Sequence, residues 1–112
     1  MGYSKEYISW INSKEWKSKS RKCQSLTNNH CILFPWLNSR HCHHLSYRNM
    51  TREIPVRDTV ALSVTAHNIV HWKIFWKNKK VRPYINYVLR LCMIFSILFW
   101  STIGLLIKYL KQ

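Results

Sequence analysis

The chain has 112 residues, enough for one compact core with an appended helix, which excludes two independent cores. Lys and Arg number 18 against 4 Asp and Glu, a formal charge of +14 that weighs against cationic partners and favours nucleic acid or anionic lipid. A core this small needs a metal, disulfides or a partner surface to stabilise it, so the 6 His and 4 Cys are the residues whose spacing matters most.

From Met1 to Lys22, charge or Ser recurs every few residues and no apolar run builds, so no secretory signal is expected and the thiols are expected to stay reduced. The spacing of Cys23, Cys31, Cys42 and Cys92 fits neither a C-x-x-C ribbon nor a paired disulfide framework. Tyr7, Ile8, Ile11 and Trp16 fall near one side of a helix over residues 7–19, a stripe that packs on the rest of the domain. Ser25, Thr27, Asn28, Asn29 and Pro35 then predict irregular structure over residues 20–38. Residues 41–47 suit a short strand, and the β-branched run from Arg57 to Val64 suits a second, joined through residues 49–55. Thr65 offers a capping hydroxyl to a helix over residues 66–80, with Ile69, Trp72, Trp76 and Lys80 at helical spacing. Strand, loop, strand and helix make a ββα unit, so the expected class is α+β.

Pro83 suits the first turn of a last helix. That helix contains the uncharged stretch Leu91 to Ile107, 17 residues between Arg90 and Lys108. A crossing of the bilayer core takes about 20 residues, and the flanking cations can snorkel to extend a shorter one. Its apolar side chains lie all round, with only Ser96, Ser101 and Thr102 polar, which suits a membrane segment or, alternatively, a buried or oligomer-forming helix. The expected division is a domain over residues 1–82 and an apolar helix over 83–112 that anchors it by its tail, with the basic domain on the cytoplasmic side.

The histidines carry the chemistry. His67 and His71 stand four residues apart, so their imidazoles share one helical face and can grip a divalent ion. His43 can add a third ligand from the first strand and leave a coordination position open, which catalysis by a metal requires. An imidazole left free beside such an ion can take a proton near neutral pH. Neighbours on a regular strand point to opposite faces, so His43 and His44 can share a site only where the strand twists or ends. His30 and His41 fall outside the pattern and are expected to be structural or surface residues.

The segment from His43 to His71, HHLSYRNMTREIPVRDTVALSVTAHNIVH, resembles the HNH endonuclease motif, a ββα-metal fold. Shared features are the His-His pair, Leu45 and Tyr47 after it, Glu53 in the connecting loop, Asp58 before the second strand, Val60 and Leu62 within it, and the closing His-x-x-x-His. YISWINSKEW, from Tyr7 to Trp16, is similar to the helix that often precedes this domain, so the likeness covers roughly residues 7–80. The resemblance implies a metal on His43, His67 and His71 as in colicin-type members, with His44 as general base. It also implies that Asp58 pins the loop where the family has Asn, and that Glu53 supports it. Where many relatives carry a second zinc knuckle, this chain has Ser63 and Ala66, so a structural zinc is not expected.

The activity so implied is hydrolysis of DNA phosphodiesters with one divalent ion: Mg²⁺, Mn²⁺, Zn²⁺ or Ni²⁺. Arg48, Arg52 and Arg57 near the site, with Lys73 and Lys77 in the basic, aromatic run after it, are the expected phosphate contacts. That run equally suits a flank meeting anionic lipid. Two other readings stay open: an inactive, metal-stapled nucleic-acid binder, and a small tail-anchored membrane protein whose histidines only fold the domain.

Overall fold

The computed structural model describes residues 4–72 and 77–112. Two N-terminal helices come first, α1 over Lys5–Ile11 and α2 over Lys14–Ser25. The single helix expected over residues 7–19 is broken because Ser13 leaves helical geometry and caps a new start, its hydroxyl accepting from Trp16 N at 3.1 Å. Helix α2 also runs to Ser25, so the irregular segment begins six residues later than expected. Asn28 and Asn29, at φ 52° and 60°, turn the chain out of it in the left-handed region that Asn tolerates.

Strands β1, His41–His44, and β2, Thr59–Leu62, pair antiparallel with His41 opposite Leu62 and His43 opposite Val60. Both are shorter than expected. β1 ends at His44, and the chain beyond is held by other bonds: Leu45 N donates to Asp58 O at 2.8 Å and Leu45 O accepts from Asn86 Nδ2 at 2.9 Å.

Helix α3 covers Val64–Val70 and is capped by Ser63, not Thr65; the Ser63 hydroxyl accepts from Ala66 N at 3.1 Å. The helix expected to reach Lys80 stops at His71, its C-cap, and Lys80 lies in a turn. Trp72 is exposed, while the expected roles of Lys73 and Trp76 fall outside the described residues. Helix α4 covers Arg82–Leu110 with Pro83 in its first turn. It is 29 residues long and apolar enough to cross a membrane.

The molecule is thus α+β, with a two-stranded sheet between α2 on one face and α3 on the other, and a long apolar C-terminal helix. Helix α4 is not an appendage to a finished domain. Leu89 and Met93 are fully buried and share one core with Cys23, Cys31, Val60, Leu62, Ala66 and Val70. Further along, Trp100 stacks on His30 with ring centroids 4.2 Å apart. A boundary at 82/83 therefore cuts through the core. The rest of α4 is open: Phe95, Leu98, Phe99, Leu105 and Leu110 are all exposed.

Candidate metal centre

The period-two alternation of a strand sorts the histidines of β1. His41 and His43 share the face toward α3; Cys42 and His44 share the face toward α2. On α3, His67 sits in the last turn and His71 caps it, so the i, i+4 spacing survives although the helix ends between them. One candidate ligand nitrogen from each of His43, His67 and His71 lies within 4.8 Å of the others. The His67 and His71 Nε2 atoms are 3.1 Å apart, and the His43 ring stands edge-on to both, at 5.3 and 5.0 Å between centroids.

Burial and mutual repulsion keep these rings neutral. His43 is 2% exposed, and its burial, then the neighbouring His71 and His67, push its pKa down to about 2. Burial and His71 push His67 down to about 4, and His71 is lowered chiefly by burial, with His41 adding to it. A neutral imidazole offers the lone pair that a metal needs, so the donor set fits a divalent ion.

His41, expected to be structural or surface, is not among the three candidate ligands but lies against them. Its ring stacks on His67 at 4.3 Å between centroids, and its charge helps to depress both His67 and His71. The signal was present in the sequence, since residues 41 and 43 of a strand share a face.

His44 is on the opposite side of the sheet. The strand ends at His44 without bringing the pair to one face, so the two histidines serve different surroundings. The His44 ring stacks on Trp16 at 4.4 Å, and its Nε2 lies 2.8 Å from Glu53 Oε2. The same carboxylate oxygen accepts from Trp10 Nε1 at 2.7 Å, and Lys19 Nζ stands 3.7 Å from the other. Burial alone would raise the Glu53 pKa, but hydrogen bonds from His44, its own backbone and Trp10 bring it below the usual carboxylate range. Trp10 and Trp16, not singled out from the sequence for this purpose, are what hold the His44 and Glu53 pair.

No protein-family model, curated protein or solved structure compared with the chain matches it. What the site can do follows from its donors and supports.

Asp58 collects the connecting loop. Its carboxylate accepts from Asn49 Nδ2, Ile54 N and Arg57 Nε, each at 2.9 Å. Burial raises its pKa less than Arg57, Asn49 and Ile54 lower it, so it is held as the anion. The loop needs such an anchor because Thr51 and Val56 sit at φ 74° and 75°, where β-branched residues are strained. Arg57 is engaged here, bonding Asp58 and the Arg52 carbonyl, while Arg52 and Lys77 are exposed and Arg48 lines a cleft at the foot of α4. Cys23 and Cys31 are buried, and all four cysteines are free thiols.

Proposed function

We propose that the protein is a divalent-metal-dependent nuclease of the HNH type, acting on DNA phosphodiesters beside a membrane. The reading rests on one observation: His43 from the strand and His67 and His71 from the helix of a ββα unit converge within 4.8 Å. An all-imidazole set suits Zn²⁺ or Ni²⁺ better than Mg²⁺, which prefers oxygen ligands. A bound ion supplies neutralisation of the phosphate and the departing oxygen.

In this reading the chain's own residues do the rest. His44 faces α2, away from the three metal-site imidazoles, and donates its Nε2 proton to Glu53, so in this reading it acts as base only through Nδ1 and only at the end of β1, where the strand stops. Asp58 keeps the loop between the strands in place and so holds the backbone on which Glu53 stands. Arg52 and Lys77, both exposed, contact the phosphate backbone without reading bases. The cytoplasmic placement of the domain follows from its basic charge before α4.

A second reading has its own support. His44 is 4% exposed and clamped by Glu53 and Trp16, as a purely structural histidine would be. On that reading the chain is a metal-stabilised nucleic-acid-binding module without catalysis. Nicking of supercoiled plasmid by the full chain in detergent micelles separates them. The nuclease requires nicking that depends on added Zn²⁺, Ni²⁺, Mn²⁺ or Mg²⁺ and is lost in both His67→Ala and His44→Ala. Unchanged nicking in His44→Ala removes that residue as base; DNA binding without any cleavage selects the binding module.

A further inference from the structure

Away from the imidazole cluster, a cleft of about 630 Å³ opens where the chain leaving β1 meets the first turns of α4. Four cations from three separate segments line it: Arg48 after β1, Lys79 before α4, and Arg82 and Arg90 on α4. No carboxylate is among the described residues that line it. Arg90 is held in place, its Nε and Nη2 donating to the Arg57 carbonyl at 3.3 and 3.1 Å, which leaves further N–H groups of its fork for an anion.

Asn86, one of the residues that line the cleft, has an acceptor buried in its wall. Asn86, 9% exposed, gives its Nδ2 proton to Leu45 O at 2.9 Å, which fixes the orientation of the amide and leaves Oδ1 buried without a hydrogen-bond partner. A buried acceptor without a donor is costly, so a ligand that brings a hydroxyl or ammonium proton satisfies it. A ligand suited to the whole cleft is therefore an anion that also donates. A nucleic-acid phosphodiester provides the charge but no donor of its own; a nucleic acid has to bring the donor from a base or a ribose hydroxyl.

The position along α4 identifies the source. Arg82 and Arg90 span about 12 Å of helix axis immediately before Leu91, where the uncharged stretch begins. If the exposed side of that stretch meets lipid, with the domain packed on its other side through Met93 and Trp100, these arginines stand at the depth of the headgroups. We propose that the cleft binds one anionic phospholipid whose headgroup carries hydroxyl donors, as phosphatidylglycerol does, with its phosphate among Arg48, Lys79, Arg82 and Arg90. A headgroup donor meets Asn86 Oδ1, and the acyl chains lie along the exposed face of α4. The proposal is independent of the metal centre and rests on α4 meeting a bilayer.

The full chain in zwitterionic micelles is titrated with phosphatidylglycerol and with phosphatidylcholine of the same acyl chains, and retained lipid is counted by native mass spectrometry. Phosphatidylglycerol should be kept at one per chain in preference to phosphatidylcholine. Lys79→Gln combined with Arg82→Gln should weaken it about thirtyfold, as expected for two interfacial cations. The variant's thermal midpoint in phosphatidylcholine nanodiscs, compared with that of the parent, shows that it is folded. Equal retention of the two lipids, or a preference unchanged in the variant, overturns the proposal. So does displacement by inorganic phosphate, which marks a free-anion site, or by a short DNA duplex, which marks a nucleic-acid groove. Failure of the parent chain to enter nanodiscs at all overturns the membrane placement and the lipid site together, whereas entry without lipid preference overturns the lipid site alone.

Discussion

Metal binding at the three-histidine cluster should release few protons. A histidine with the ordinary pKa of about 6.5 is roughly nine-tenths protonated at pH 5.5, so three of them loading a metal would release about 2.7 protons. Here His43 and His67, at about 2 and about 4, are already neutral at that pH, and only His71, itself lowered, can contribute appreciably. The expected release is under about one proton. The sign is that acid weakens binding, by the protons that must leave. Between pH 7.5 and 5.5 an unperturbed trio loses about a thousandfold in affinity, and this one should lose at most about tenfold. Calorimetric titration of the full chain with Zn²⁺ at pH 5.5, in buffers of different ionisation enthalpy, counts the protons directly. Release of two or more, with a thousandfold loss of affinity, would refute the inference that burial keeps the rings neutral.

Further expectations concern the supports. Glu53→Leu leaves Trp10 Nε1 and His44 Nε2 buried without their acceptor, a loss of about 2–6 kcal/mol in urea unfolding, whereas Glu53→Gln keeps an acceptor and should cost less. Asp58→Ala strips three donors of their partner and frees a loop with strained residues at 51 and 56; about 3 kcal/mol of stability should go, and Asp58→Asn should recover part of it. Leu89→Ala should cost about 2–5 kcal/mol as a cavity in the shared core, while Leu105→Ala, on the exposed part of α4, should leave the unfolding of the domain unchanged. Equal effects of these two would mean that α4 packs on the domain differently. Without metal, the domain should lose stability as the pH falls below about 6.5, because the unfolded chain takes up a proton at position 43 that the folded chain refuses down to about 2. Thermal midpoints of the parent and of His43→Asn, measured from pH 7.5 to 4.5, should converge on acidification; parallel curves would contradict this.

The sequence by itself determined the features whose physics is local. The four-residue spacing of His67 and His71 puts them on one side of a helical turn whatever surrounds it, and that survived even though α3 stops at His71. The order strand, loop, strand, helix came from β-branched runs and polar breaks, and the 17-residue uncharged stretch came from composition. Element ends were less legible: Ser13 and Ser63 compete with neighbouring residues for a capping role that only the path of the chain awards.

Tertiary structure decided the rest. Whether His43 and His44 act together depends on which helix packs on each face of β1, and packing sends one toward α3 and the other to Trp16 and Glu53. The same packing brings His41 against His67, a contact between residues 26 apart in sequence. Helix α4 is apolar all round in sequence. Only the sheet and the residues around Cys31 single out the side of Leu89 and Met93 as core and leave Phe95 and Leu98 facing outward. Hydrophobicity states that a side chain avoids water, and the fold alone determines whether protein or something else covers it.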